Sequence, residues 1–214
     1  ALIVATGFVG KSVLKELLNR GHHVTAIVRD PSKLTVTHDN LSIKKGDVFN
    51  TTELATALKG NEVVVSAYNA GWTNPNLYND FLEGSQLIQE ATKQAGIKRL
   101  FVVGGAGSLY LDNGKQLVDT ESFPKDWKPG ALAARDYLNL LQKENNLDWT
   151  FLSPAIEMHP GTSGTRKNKY RTGKDNPVLD EEGRSVISVE DLAVAIADEL
   201  EQPKFIRSRF TVAY

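Results

Sequence analysis

The sequence has no cysteine among its 214 residues. That excludes disulfides, thiolate nucleophiles and cysteine-ligated metal sites, and it points to an intracellular, cytoplasmic setting. No apolar run approaches the ~20 residues that cross a bilayer, so no membrane partner is expected. Charge of one sign is also missing. The 25 Lys and Arg against 26 Asp and Glu leave a net charge of −1, which gives nucleic acid no electrostatic footing. His22, His23 and His38 lack metal-ligand spacing, and no metal site is expected. No signal peptide appears. The sequence opens at Ala1 inside a strand-like run, so further residues upstream are expected.

What is present reads as a soluble globular chain, 41% hydrophobic and 24% charged. Its organising stretch is Val4-Ala5-Thr6-Gly7-Phe8-Val9-Gly10, between the apolar run Ala1-Leu2-Ile3 and a helical pattern through Arg20. Strand, glycine turn and helix in that order make a phosphate site, because a helix N-terminus exposes unpaired N–H groups and the positive end of its dipole. Gly7 lets backbone approach a pyrophosphate, and Gly10 lets the helix lie close to the strand. In the extended fingerprint G-x-x-G-x-x-G the first glycine is replaced here by Val4.

The rest of the chain alternates strands and helices. His23–Val28 is a second strand, followed by Arg29-Asp30-Pro31. An arginine at that position admits the 2′-phosphate of NADP where a carboxylate would favour NAD, so NADP(H) is expected over NAD(H). A plain surface arginine before a turn is the alternative. Leu41–Lys45 is a third strand, and Asp47 beyond it can accept from an adenine amino group. Thr51 or Thr52 caps a helix reaching Leu58, and Gly60 ends it. Glu62–Ala67 is a buried, β-branched fourth strand, with Tyr68-Asn69 bordering the nicotinamide half. A helix over 76–95 leads to a fifth strand, Arg99–Val103, and to Gly104-Gly105-Ala106-Gly107-Ser108. Pro124 and Pro129 act as breakers before a helix over 131–145, and Asp148–Leu152 is a sixth strand. Glu157–Arg184 is loop-rich and carries a basic group, Arg166, Lys167, Lys169, Arg171 and Lys174. This stretch could hold a substrate phosphate or be simply solvated. Ser188 caps the last helix, with Asp191 completing the cap, and Arg209–Ala213 closes the sheet. The expected fold is α/β: a Rossmann-type, doubly wound parallel sheet in a single domain, 1–214, with a loop-rich substrate segment at 153–186. Ligands then bind at the carboxyl ends of the strands, where the strand order reverses.

Several residue sets bear on the chemistry. The Tyr-x-x-x-Lys pair that short-chain dehydrogenases use for proton transfer is absent from the expected helix, where Tyr137 is followed by Leu141. Tyr170 and Lys174 match the spacing only within a glycine-containing loop. Ser108 is the nearest local proton donor, though a turn hydroxyl bonded to its own backbone is the plainer role. His159 is a lone loop histidine. Trp72, Trp127 and Trp149 could supply a ring-stacking platform, with core packing the expected role of Trp149.

The segments Ala5–Gly10, Val28-Arg29, Lys45–Val48, Val103–Ser108, Ser153-Pro154 and Ser188–Asp191 together resemble the atypical short-chain dehydrogenase/reductase proteins known as NADH-flavin reductase-like. Biliverdin reductase B and the nitrogen-repressor-like redox sensors belong to the same wider group. The resemblance spans nearly the whole chain. It implies NAD(P)H binding with Arg29 at the 2′-phosphate position and Asp47 and Val48 flanking the adenine. Together with the strand ends read above, the expected cofactor site is Thr6, Gly7, Phe8, Val9, Gly10, Arg29, Asp47, Val48, Ala67, Tyr68, Asn69, Gly104, Gly105, Ser153 and Pro154, with Ser108 the expected catalytic hydroxyl. It implies hydride transfer from NAD(P)H to a small-molecule acceptor, a flavin or quinone. A non-catalytic NADP-binding sensor is the alternative, and a nucleotide-sugar epimerase fits less well.

Overall fold

In the computed structural model, which describes residues 1–214, the strands form one eight-stranded sheet. The strands are β1 (Leu2–Ile3), β2 (Val24–Val28), β3 (Leu41–Lys45), β4 (Val63–Ser66), β5 (Arg99–Val103), β6 (Asp148–Ser153), β7 (Arg171–Gly173) and β8 (Ser208–Ala213). Their order across the sheet is β3-β2-β1-β4-β5-β6-β8-β7. Every neighbouring pair is parallel except β7–β8. The chain winds outward from β1 to β3, then returns to the other side of β1 as β4. The order therefore reverses between β1 and β4, the point where sheets of this kind take ligands at the carboxyl edge.

The two layers follow from the alternation of side chains along buried strands. Leu2, Val65, Phe101 and Leu152 point to one face. There they pack with Val13, Leu14 and Leu17 of α1 (Phe8–Asn19) and Leu192 and Ile196 of α5 (Val189–Glu201). Their chain neighbours Ile3, Val64, Val102 and Phe151 point to the other face. They meet Leu54 and Leu58 of α2 (Thr51–Leu58), Phe81 and Ile88 of α3 (Leu77–Gln94), and Tyr137 and Leu141 of α4 (Lys128–Leu141).

Local chemistry corrects two sequence-based expectations. Helix α2 is capped by Asn50, not by Thr51 or Thr52: Asn50 Oδ1 accepts from the Glu53 N–H at 3.1 Å, and its amide donates back to the Glu53 carboxylate. Pro129 does not break a helix. It sits in the first turn of α4, where its missing N–H costs nothing. The loop-rich segment 157–184 also holds one short strand. Arg171–Gly173 pairs antiparallel with β8, from Arg171↔Ala213 to Gly173↔Thr211. Ser188 caps α5 as expected, its hydroxyl accepting from the Asp191 N–H at 3.0 Å.

Candidate nucleotide-binding crevice

All the strands that precede candidate residues are parallel, so their carboxyl ends share one edge. Thr6–Gly10 follow β1, Arg29 follows β2, Asp47 follows β3, Ala67–Asn69 follow β4, Gly104-Gly105 follow β5, and Ser153 ends β6.

The β1–α1 turn is built around Val4. Its φ is +62°, the left-handed region that a β-branched residue rarely enters, and its carbonyl accepts from the Gly7 N–H at 3.2 Å. The missing first glycine thus has a conformational meaning: valine is held where glycine would sit freely. Val4 Cγ1 lies 3.4 Å from where a Gly7 Cβ would be, and a Cβ on Gly10 would fall 2.1 Å from the Val4 oxygen. Gly10 is therefore required for helix and turn to approach this closely. Gly7 is the N-cap of α1, with no side-chain cap and no acid in the first turn. The Phe8, Val9 and Gly10 N–H groups meet no acceptor in the chain. Helices α2, α3 and α5 differ, since each places Asp or Glu in its first turn. At the strand-order reversal the protein thus leaves an uncapped, unneutralised helix end, the electrostatic requirement for a bound diphosphate.

At the adenosine end Arg29 is exposed and makes no hydrogen bond or ion pair. Asp30, by contrast, is occupied. Its Oδ1 accepts from the Ser32 N–H (3.1 Å) and hydroxyl (2.6 Å), which hold its carboxyl below the usual carboxylate range. Asp47 turns one oxygen to the Phe49 N–H at 3.0 Å, while Val48 is buried in the core and offers only backbone.

Towards the nicotinamide side several expected side chains turn inward. Tyr68 is 8% exposed, stacks on Phe81 and donates to the Asp80 carbonyl at 3.0 Å. Burial, and then the Asp80 charge, push its phenol up to about 12. Only its backbone, with Ala67 and the exposed Asn69, borders the crevice. Gly104 lies on the Phe151 ring, where any Cβ would collide at 1.9 Å. Ser153 and Pro154 are buried, and the Ser153 hydroxyl has no partner. The proton-donor expectation for Ser108 needs correction. Ser108 is 1% exposed, and its hydroxyl is turned inward, accepting from Arg209 Nη1 at 3.2 Å. Sequence reasoning missed Arg209, which also binds the Ser108 carbonyl and Asp175. A buried arginine inside an apolar strand pattern was the signal.

The tyrosines carry no proton-transfer pair. Tyr137 is in the core, and burial drives its phenol upward. Tyr170 donates to Asp198, and burial with that carboxylate also raises it, the opposite of an activated tyrosine. The basic loop is largely spent on the protein itself. Arg166 binds Glu16 through two bonds of 3.0 and 2.8 Å, the Lys167 ammonium lies 3.6 Å over the Tyr214 ring, and Arg171 binds the Leu179 and Tyr214 carbonyls. The Lys167 and Asn168 N–H groups both donate to the buried Asp191. His159 caps a short turn by accepting from the Gly161 N–H. Trp149 is core, its indole N–H donating to the Glu144 carbonyl, whereas Trp72 and Trp127 are 60% and 53% exposed.

Sheet order, bare helix end and free arginine define a dinucleotide-binding protein of the Rossmann class. Residues 5–203 match the NAD(P)H-binding family, and the chain belongs to it, within the atypical short-chain dehydrogenase/reductase group. It is 41% identical over 213 residues to the protein YwnB of Bacillus subtilis, covering 99% of this chain and 96% of that one. A Bacteroides thetaiotaomicron protein described as a "putative epimerase" has a crystal structure that is 43% identical with a TM-score of 0.91, covering 100% of this chain and 95% of that one. The structure of a "putative NADH-flavin reductase" from Streptococcus pneumoniae is 36% identical with a TM-score of 0.86, covering 99% and 97%. No helix is long and apolar enough to cross a membrane.

Proposed function

We propose that the protein is an NAD(P)H-dependent reductase of the flavin-reductase type, passing a hydride from the nicotinamide to a flavin, quinone or similar flat acceptor. The observation that carries this is the bare amino end of α1 at the strand-order reversal, with three free N–H groups and no acid. The likeness to the Streptococcus pneumoniae protein supports the acceptor class. NADPH is preferred, because Arg29 is free for a 2′-phosphate while Asp30, which would bind a ribose diol, is tied to Ser32.

The nicotinamide, when bound, supplies the hydride, and the chain supplies position. Phe8, Val9 and Gly10 would hold the diphosphate by main-chain donors, Arg29 would fix the adenosine end, and Ala67, Asn69, Gly104 and Gly105 would border the ring end. With Ser108 turned inward, a flavin or quinone would take its proton from water. Epimerase chemistry is disfavoured, because Tyr137 is buried in the core, Tyr170 donates to Asp198, and neither is hydrogen-bonded to a lysine.

Nicotinamide absorbance followed in a mixture of protein, NADPH and FMN tests the reading. NADPH consumption above the protein-free rate is expected. Tight NADPH binding with no consumption would replace the reductase with a nucleotide sensor.

A further inference from the structure

Trp72 is the most exposed large apolar side chain of the protein, at 60%. A single exposed apolar side chain is ordinary on a protein surface; what sets this one apart is the place and support of its ring, since a large aromatic face offers stacking area. Its place is specific. It lies on the loop after β4, at the edge that carries the crevice, and its six-membered ring rests on the first turn of α4. A Cβ on Gly130 would come within 2.9 Å of Cζ3 and 3.4 Å of Cη2, so glycine is what makes room for the ring there.

The loop carrying it is fixed rather than loose. Asn69 Oδ1 accepts from the Gly71 N–H at 2.7 Å. Asn74 donates to the Ala70 carbonyl at 3.3 Å and to Asp80 Oδ2 at 2.8 Å, and Asn76 donates to the other oxygen of Asp80. Asp80 thus ties the C-terminal end of the loop to the first turn of α3. A rigid loop presents one supported indole to solvent, beside the end of β4 where the reacting ring of the cofactor would lie. Pre-ordered aromatic rings are good binding surfaces because little side-chain entropy is lost on contact.

We propose that Trp72 is the stacking platform for the acceptor, selecting a planar fused-ring system such as an isoalloxazine or naphthoquinone by contact with the open part of its indole. This rests on the reductase reading above. It adds a specificity-determining residue to it: the acceptor is chosen by ring area, not by hydrogen-bond pattern.

The test uses the complete chain saturated with NADP⁺, which cannot transfer hydride, so acceptor binding is read apart from turnover. FMN and riboflavin are titrated by flavin fluorescence against wild type, Trp72→Ala and Trp72→Phe. Loss of one aromatic stack is expected to weaken both flavins about tenfold in Trp72→Ala. Trp72→Phe should recover most of that, and affinity for NADPH should be unchanged in both. In turnover with FMN the alanine variant should show the same rise in KM with kcat within about twofold. Equal flavin affinity in wild type and Trp72→Ala overturns the platform and leaves the reductase standing. So does a parallel loss of NADPH affinity, which would put the nucleotide on the indole. No flavin binding to wild type overturns the platform as well. Flavin binding that depends on Trp72 but gives no NADPH consumption supports the platform and overturns the reductase.

Discussion

Val4 carries the most local strain in the nucleotide turn. A non-glycine residue in the left-handed region costs about 1–3 kcal/mol, and Val4 is held there at φ +62°. At an ordinary buried position glycine is worse than alanine by about 0.5–1 kcal/mol, because it adds chain entropy to the unfolded state. At position 4 that ranking should invert. Val4→Gly is expected to be more stable than Val4→Ala by about 1 kcal/mol, with NADPH affinity retained. Paired denaturant titrations read this directly, and alanine more stable than glycine would remove the strain. At Arg29 the expectation concerns selectivity. A hydrogen bond to a charged group is worth about 1.5–3 kcal/mol. Arg29→Ala should therefore weaken NADPH about 10- to 100-fold and leave NADH within about twofold. Calorimetry with the two nucleotides checks it, and equal losses for both would mean Arg29 does not meet the 2′-phosphate.

Among the elements, the segment between β6 and α5 is fastened from three sides: Arg166 to Glu16 of α1, the Lys167 and Asn168 N–H groups to Asp191 of α5, and Arg209 of β8 to Asp175. The Arg166 guanidinium, with Arg20 beside it, holds the Glu16 carboxyl below its ordinary 4.5 despite burial. A depressed folded-state value gives stability that is complete above the ordinary value and lost as pH falls through the folded one. The stability gap between wild type and Glu16→Gln is therefore expected to be largest near neutrality and to narrow below about pH 4. Urea midpoints across that range measure it, and a constant gap would contradict the pairing. This fastening was the least legible part of the chain. Strand β4 announced itself as a β-branched run, and β3 and β5 fall on the expected residues. Strand β7 could not be read, since Arg171-Thr172-Gly173 has no apolar alternation and becomes a strand only because β8 offers a free edge. The cap of α2 was readable but missed: Glu53, three residues after Asn50, marked Asn50 over the threonines beside it.

For the molecule as a whole, the glycine turn and the succession of strands were enough to place the crevice, because a parallel sheet sends every strand's carboxyl end to one edge. The directions of Tyr68, Ser108 and Ser153 were not readable. At a strand end the choice between crevice and core is made by what packs behind it, here Phe81 and Asp80 for Tyr68 and the Arg209 guanidinium for Ser108. A nucleotide diphosphate on the amino end of α1 is tested most directly by following backbone amide resonances while NADPH is added to the isotopically labelled protein. The expected result is that the largest shifts fall on Phe8, Val9 and Gly10, with further shifts at Arg29, Asn69 and Gly104. Saturable binding that leaves the Phe8–Gly10 amides unmoved would contradict it.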